Sequence, residues 1–430
     1  MYPSDTIAAI VTAPAKAAVS IIRISGKNSW EIIQRLSSKI FIDHQIQLSW
    51  IYENENKLDQ ALILPFKAPK SFTGEDVIEI HSHGGIWLTE KILELVLNSG
   101  ARLAQRGEFT QRAVINGKMD LSQAEAIADI IDAKSASSSQ NAIKIYQGEL
   151  GSQIKSMRLS LLNLLGEVTA SIDFPDEVGE FDRQKFSQII LQELKQIDIL
   201  LAGEKEGHIL RNGYKVAIVG NPNAGKSTLL NSLLKKERAI VTDIAGTTRD
   251  LIEESYSIKG LPIVLLDTAG IRETEDKIEK IGIEKSYQAI QEADLILHLI
   301  DMTNYTEEDY DQENLRVGTK LDLVSDYDEE LFDICISSKN DQNIEELKNM
   351  IYDKIIQLNT DLVKINLRQA DLLRHAKQAL DKSLEASKNL SEDFWTIDLR
   401  QAIQSLGEIT GETLTEELLD NIFARFCIGK

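Results

Sequence analysis

Two cysteines in 430 residues, Cys335 and Cys427, are too few for a disulfide framework or a thiolate metal cluster, which points to a reducing compartment. No run of eighteen apolar residues occurs, so no membrane-spanning helix is predicted. The opening Met1-Tyr-Pro-Ser-Asp5 also lacks the basic and apolar stretches of a secretory signal, and a cytoplasmic location is expected. Basic residues are short as well: 47 Lys and Arg stand against 68 Asp and Glu, a net charge of −21. Neutralising phosphates takes Lys and Arg, so the chain is not expected to wrap a nucleic acid alone. An RNA substrate would need a local basic patch or a basic partner. The remaining composition, 43% hydrophobic and 27% charged, is that of an ordinary folded chain long enough for two to four domains.

Against that background one stretch carries chemistry. Gly220-Asn-Pro-Asn-Ala-Gly-Lys-Ser227 follows the apolar run Val216-Ala-Ile-Val219 and leads into the helical pattern Thr228-Leu-Leu-Asn-Ser-Leu-Leu234. Gly, four residues, then Gly-Lys-Ser between a strand and a helix is the spacing of a phosphate-gripping loop. Its N–H groups and the helix dipole attract polyphosphate. The loop residues Asn223, Ala224, Gly225, Lys226, Ser227 and Thr228 are assigned to nucleotide binding, with Lys226 reaching the β and γ phosphates and Ser227 offering a hydroxyl to Mg²⁺.

Later motifs define the nucleotide. Thr247-Thr248 lies where a switch threonine can close over the γ-phosphate and its metal. Asp267-Thr268-Ala269-Gly270, after the strand Ile263-Val-Leu-Leu266, places a carboxylate to hold Mg²⁺ through water and an N–H to sense the γ-phosphate. Thr319-Lys320-Leu-Asp322 reads guanine through the Asp322 carboxylate, and Ser337-Ser338-Lys339 forms a last base-contacting loop. Each of these is weak alone; in this order they resemble the GTPase superfamily, with GTP as substrate. Thr319 stands where most such enzymes carry asparagine; its hydroxyl can still make one hydrogen bond, so a lower affinity with guanine choice retained is expected.

Two features narrow the mechanism. The glutamine that orients water in Ras-type enzymes is replaced by Ile271, so another group must act; spacing does not choose among Glu273, Glu275, Asp276 and Glu279. Asn223 either caps the loop with its own side chain or offers a neutral oxygen to a monovalent cation. Thr242-Asp-Ile-Ala-Gly-Thr247 could add oxygens to the same ion.

Asp243-Ile-Ala-Gly-Thr-Thr-Arg-Asp250, Asn223 and the final Phe426-Cys-Ile-Gly-Lys430 together resemble the MnmE (TrmE) family of tRNA-modification GTPases, over the length of the chain. The resemblance implies K⁺ held by Asn223, Thr242, Ile244 and Thr247, Mg²⁺ held by Ser227 and Thr248 with Asp267 through water, and Glu279 orienting the attacking water. Catalysis then rests on Glu279, Lys226 and Thr248, with Thr242, Asp243, Ile244, Ala245, Gly246, Thr247 and Thr248 along the nucleotide. It also implies a homodimer that binds a tetrahydrofolate derivative, in 5-formyl or methylene form, at Arg23, Glu79, Lys118 and Lys430. The implied partners are tRNA and a flavoprotein, MnmG (GidA), with no membrane; together they would place an aminomethyl-type group on C5 of a wobble uridine. An alternative is a regulatory or ribosome-assembly switch of the Era or Der type, which lacks the split helical domain and the Cys-Ile-Gly-Lys end. Cys427 is either a small buried residue or a candidate modification-site residue.

The expected fold is α/β plus all-α. Residues 1–118 read as a small α/β unit, which the resemblance implies is a dimerisation and folate-binding domain, 119–210 and 359–430 as two parts of a helical bundle, and 211–358 as an inserted Ras-like P-loop G domain. The periodicity predicts strands at 7–11, 19–24, 60–64 and 77–80, helices at 29–38 and 88–97, and a strand-end loop at His81-Ser-His-Gly-Gly85. One long helix is expected over 139–172, another over 185–201, a polar linker at 203–207, and helices over 367–390 and 399–426. Two departures stand out. Pro14-Ala-Lys-Ala-Ala-Val19 replaces a glycine-rich family loop, at a cost of about 1 kcal/mol wherever φ is positive. Asn314-Leu-Arg-Val-Gly318 makes a poor buried strand, and so short a connection from Asp301 to Thr319 means either a truncated crossover or absent residues.

Overall fold

A computed structural model describes residues 5–221, 223–234, 253–267, 290–304, 314–355, 363–413, 419, 422–424, 426 and 428–429. In chain order they form β1 (Ile7–Ile10), β2 (Val19–Ser25), α1 (Ser29–Leu36), β3 (Gln47–Glu53), β4 (Asn56–Phe66), β5 (Val77–His83), α2 (Ile86–Asn98) and β6 (Arg102–Leu103). Helices follow: α3 (Glu108–Ile115), α4 (Leu121–Asp132), α5 (Ala136–Tyr146), α6 (Glu149–Asp173), α7 (Pro175–Val178), α8 (Arg183–Ala202) and α9 (Glu204–Asn212). Then come β7 (Tyr214–Val219), α10 (Lys226–Leu234), β8 (Glu253–Ile258), β9 (Leu261–Asp267), β10 (Leu295–Asp301), β11 (Asn314–Thr319) and β12 (Ile334–Cys335). The chain continues with α11 (Ile344–Ile355), α12 (Leu367–Asn389) and α13 (Glu392–Thr410). Residues 1–128, 146–159 and 403–430 group into one compact unit, and 129–145 and 160–402 into a second. Among the described residues no helix is long and apolar enough to cross a membrane.

The first unit is built on a sheet of order β3-β4-β5-β2-β1-β6, antiparallel except where β1 runs parallel to β6. Alternation decides its faces. Ile22, Ile24, Ala61, Ile63, Ile78 and Ile80 turn to one side and are buried with Ile32 and Ile33 of α1 and Ile92 and Val96 of α2. Each large side chain so buried contributes about 1.5–3 kcal/mol. On the other side Ile7 and Ala9 pack with Ala104, Phe109 and Phe72.

β5 is longer than its apolar run suggests. His81 and His83 belong to it rather than to a loop, because β4 and β2 flank it and pair as far as Leu62↔His81 and Val19↔His83. Their alternation with Glu79 puts all three on one face. Among the described residues no group of three or more His, Cys, Asp or Glu is placed to hold a metal. The alanine-rich turn is unstrained: Ala15, Ala17 and Ala18 are not among the residues with positive φ. The tight spot is across from it, at Gly84, where a Cβ would stand 2.4 Å from the Ala17 carbonyl oxygen.

The second unit opposes a helical assembly to another sheet. Phe186 of α8 and Trp395 of α13 pack at 4.9 Å between ring centroids, and Ser383 of α12 donates to the Trp395 carbonyl at 2.8 Å. Gly148, with φ 91°, separates α5 from α6 where one continuous helix is expected, since αL backbone cannot continue a helix. The expected linker at 203–207 is instead the start of α9. Its Gly207 has no room for a Cβ, which would lie 2.1 Å from the Ile365 carbonyl, and its Glu206 forms a buried ion pair with Lys364. Asn141 holds the same exit segment twice, donating to the Lys364 carbonyl at 3.0 Å and accepting from its N–H at 2.9 Å.

The second sheet has the order β12-β11-β10-β7-β9-β8, all parallel except the antiparallel edge β8. Both faces are covered, as parallel strands demand. Val216, Ile218, Leu265, Leu297 and Val317 pack with Leu229 of α10 and Leu347 and Ile351 of α11. Ala217, Val219, Val264 and Ile296 pack with Ile290 and Ala293 on the other side. The segment Asn314–Thr319, unpromising as a buried strand, is an inner one between β10 and β12, with Leu315 and Val317 filling the core. Residues 302–313 alone connect it to β10, about the dozen that a parallel crossover requires.

A charge network holds the first unit's α3 against its N-terminal strand. Arg112 donates to Asp5 at 2.7 Å and to Glu108 at 2.9 Å, and Arg102 donates to the same two carboxylates at 2.8 and 2.7 Å. Burial pushes the Glu108 carboxyl up, but the bonds from Arg102, the Gln105 N–H and Arg112 outweigh it and hold it below its ordinary value. A depressed folded pKa gives stability that is present above the unfolded value of about 4.3 and is lost as pH falls through the folded one. Glu108→Gln should destabilise the first unit by about 1–3 kcal/mol at pH 7, since it removes the charge of the most buried carboxylate in the network while Arg102 keeps Asp5 and Arg112 keeps Asp5 and Glu75. Urea unfolding at pH 7 and pH 4 should show a smaller pH difference in the variant than in the wild type.

Candidate functional site

The order of the second sheet reverses at β7, with β9 on one side and β10 on the other. In open α/β sheets the crevice at the carboxyl ends of the strands beside such a reversal is where ligands sit. Gly220 leaves β7 there with φ 145°, and a Cβ on it would lie 2.3 Å from the Leu299 carbonyl of β10. Only glycine makes that turn. The chain then passes through Asn223 at φ 69° and Gly225 at φ 92° into α10, whose first hydrogen bond runs from the Leu229 N–H to the Gly225 carbonyl at 2.9 Å. A Cβ on Gly225 would meet nothing within 4 Å, so an open cradle faces the helix N-terminus.

The loop's side chains divide by depth. Ala224 is buried, and Asn223, Ser227 and Thr228 are exposed around the cradle. Lys226 donates to the carbonyls of Gly220 and of Asn221, the latter at 3.1 Å. β9 ends at Asp267, paired with Ile218 of β7, so its backbone reaches the same edge of the sheet. The exposed Ser227 hydroxyl at a helix N-terminus beside that strand end fits the hard-oxygen set that Mg²⁺ takes. Thr242, Asp243, Ile244, Ala245, Gly246, Thr247, Thr248, Thr268, Ala269, Gly270 and Glu279 lie outside the described residues, as does the Asp267 side chain.

The residues expected to read the base come together from two strand ends. The Leu321 N–H donates to the Ile336 carbonyl at 3.1 Å, and the Ser337 hydroxyl donates to Asp322 Oδ1 at 2.7 Å. Asp322 is exposed, so its carboxylate is oriented by one serine and keeps acceptor capacity for a ring N–H and an exocyclic amine. Ser337 is buried and serves as that brace, Ser338 is half-buried and Lys339 exposed. Thr319 faces inward: its hydroxyl, 3% exposed as a residue, donates to the Ile300 carbonyl at 3.2 Å. Lys320 sits in left-handed backbone and donates to Asp301 Oδ2 at 2.6 Å. Asp301 was not among the residues that the motifs single out; its position at the end of an apolar strand was the available signal.

In the first unit, Arg23 and Glu79 are partners across β2 and β5 and form an ion pair at 2.8 Å. Glu79 also meets His81 Nε2 at 3.1 Å, and the Arg23 guanidinium lies 5.3 Å from the Phe72 ring centre and 5.6 Å from that of Phe109. Lys118 donates to the Pro69 carbonyl at 2.9 Å and passes over Gly74, so the loop that carries Phe72 also holds the Lys118 side chain. Two aromatic rings beside a carboxylate and cations suit a planar heterocycle with an acidic tail. Spacing alone missed His81, Phe72 and Phe109; extending β5 by one pair of residues would have put His81 beside Glu79. Lys430 and Cys427 lie outside the described residues, but Gly429 packs on Ile10 and Ile428 bridges to Arg106.

Comparisons with known proteins agree in extent. A family model described as the MnmE helical domain matches residues 121–427, and one described as the GTP-binding protein TrmE N-terminus matches 6–118. The tRNA modification GTPase MnmE of Thermoanaerobacter pseudethanolicus is 45% identical over 457 residues, covering 99% of this chain and 99% of that protein. The protein of the same name from Nostoc sp. is 44% identical over 460 residues and covers 100% of both. These matches run over more positions than this chain has residues, so the chain lacks internal positions that the relatives carry. Among solved structures, a point variant of Era from Aquifex aeolicus bound to GDP·AlF4⁻ is 29% identical, covering 38% of this chain and 65% of that one, with a TM-score of 0.26. At that score the likeness carries no weight.

Asp322→Asn replaces an acceptor by an amide that also donates, which suits a 2-oxo purine rather than a 2-amino one. GDP affinity should fall on the order of 100-fold or more, while xanthosine diphosphate binds more tightly than to the wild type. Fluorescence titration with the two diphosphates reads the outcome directly.

Proposed function

Because this chain belongs to the MnmE family of tRNA modification GTPases, we propose that it is a K⁺-stimulated GTP hydrolase acting in modification of the wobble uridine of certain tRNAs. The observation that carries the hydrolase reading is the glycine-hinged loop at the reversal of the second sheet, beside an Asp322 braced for a guanine edge. The domains would divide as residues 1–118, 119–210 with 359–430, and 211–358. In this reading the protein is cytoplasmic and homodimeric. It works with a flavoprotein of the MnmG type to attach an aminomethyl-type group at C5, using a carbon from a tetrahydrofolate derivative. Arg23, Glu79, Lys118 and Lys430 would hold that folate, with Cys427 a candidate at the modification site.

In the hydrolysis step the loop N–H groups grip the phosphates and Lys226 reaches the β and γ positions. Ser227 and Thr248 would hold Mg²⁺ directly and Asp267 through water, while Asn223, Thr242, Ile244 and Thr247 would hold K⁺. Bound there, the two cations supply positive charge where negative charge develops between the β and γ phosphates, the task an arginine finger performs elsewhere. Gly270 offers an N–H to the γ-phosphate. Ile271 has no polar group to orient water; Glu279, the carboxylate that the family resemblance implies, takes that role and accepts a hydrogen bond from the nucleophile.

Two observations on the chain's own residues support these assignments. Asn223 is exposed and held in left-handed backbone, φ 69°, within the loop. Arg23 and Glu79 share a face with two aromatic rings. The test of the mechanism is alkali-cation dependence. Wild-type turnover should be at least about tenfold faster in KCl than in NaCl, and Asn223→Ala should remove that preference while retaining GDP binding. A variant that keeps the wild-type ratio of the two rates would remove Asn223 from the cation site.

A further inference from the structure

The guanine-reading turn begins with a residue that does not read guanine. Thr319 is buried, its hydroxyl proton is committed to the Ile300 carbonyl, and it pairs in the sheet with Asp301 of the neighbouring strand. It is a strut of the sheet rather than a contact for the base. The turn must therefore be held by something else, because its next residue, Lys320, adopts φ 63° and ψ 36°, a conformation that an L residue with a long side chain keeps only when its surroundings impose it.

Asp301 supplies what imposes it. One carboxylate oxygen accepts from the Lys320 ammonium at 2.6 Å. The other accepts from the Thr303 N–H at 3.0 Å and from the Thr303 hydroxyl at 2.6 Å, so the carboxylate cannot swing away from the lysine. Its side chain is 17% exposed, and that of Lys320 is 33% exposed. Burial pushes the Asp301 carboxyl up, but the bonds from Lys320 and Thr303 outweigh it and leave the group below its ordinary value, ionised at neutral pH. Lys320 is fastened at both ends: its carbonyl accepts from the Leu323 N–H at 2.9 Å, closing the short turn on which Asp322 stands.

We propose that Asp301 is a positioning residue for base selection, fixing Lys320 and through it the orientation of Asp322, in place of the asparagine that opens this motif elsewhere. This rests on the reading of Asp322 as the acceptor for the guanine 2-amino edge, and makes guanine choice depend on the last residue of β10. The inference extends to the connection that follows. Thr303, which pins the carboxylate, is the second residue after β10, so the start of this connection and the base-reading turn share one anchor.

Inosine diphosphate lacks the 2-amino group, so the ratio of its dissociation constant to that of GDP reports Asp322 alone. The full-length chain is titrated with both diphosphates as wild type, Asp301→Asn, Lys320→Met, the double variant and Asp322→Asn, with thermal melting followed in parallel. Each single change should lower the preference for GDP about five- to tenfold, and the double variant should be no worse than either, because both remove the same tie. A general loss of fold would weaken the two nucleotides equally and leave the ratio intact. If Asp322→Asn abolishes the preference while Asp301→Asn and Lys320→Met keep it within twofold of wild type, Asp301 has no positioning role. Losses that multiply in the double variant overturn the proposed coupling as well. A preference that survives Asp322→Asn would instead sink the base-reading assignment beneath it.

Discussion

Where β7 ends, its backbone passes so close to the Leu299 carbonyl of β10 that no side-chain carbon fits at Gly220. That approach fixes the rest of the second sheet's chemistry. A residue with a Cβ would push the loop away from β10, and with it the cradle at Gly225 and the first turn of α10. Parallel strands bring their carboxyl ends to one edge, so β7, β9 and β10 all end on the side of this turn. β11 and β12 continue the edge to the base-reading side. The phosphate-loop turn and the turn expected to read the base thus share one rim because the strands that carry them are parallel.

The entry and the exit of this nucleotide-binding segment are fastened as firmly as its centre. α9 leads in and residues 363–366 lead out, and the two are joined by the buried Glu206–Lys364 pair and by the absence of any side chain on Gly207. Asn141 of α5 then binds the exit backbone through both its amide atoms. A buried ion pair adds little net stability against an apolar replacement, but it penalises separation heavily, because either charge left alone is poorly solvated. Such a joint resists prying apart. The β8–β9 hairpin meets the same helical region, with the Ser137 N–H donating to the Gly260 carbonyl at 3.3 Å, and β9 runs straight from there to Asp267.

The first unit is arranged on the opposite principle. Its sheet is antiparallel, so one face is closed by α1 and α2 and the other is left for polar and aromatic groups at one end. Arg23, Glu79 and His81 owe their proximity to pairing between β2 and β5, and the two phenylalanines beside them come from a loop and from α3. The dense carboxylate and guanidinium network around Arg112 keeps α3, and therefore Phe109, in place. The face that carries Arg23 and Glu79 is thus supported through α3 by the Arg112 network.

The order of motifs from Gly220 to Lys339 was legible in the sequence, because phosphate grip and base reading demand fixed residue types at fixed local spacing. So were most helices and strands, whose periodicity is local. Other features were decided only by the folded chain. The strand at Asn314–Thr319 exists because β10 and β12 pair with it, although its own composition argues weakly for one. His81 faces Glu79 because neighbours extend β5, and residues 204–212 are helical because Gly207 and Glu206 find partners far along the chain. Thr319 turned out to brace the sheet and Asp301 to hold the lysine beside it, an exchange of roles between residues eighteen positions apart. Local spacing determines which chemistry a chain carries; pairing across strands, which no spacing encodes, determines which side chains share the work.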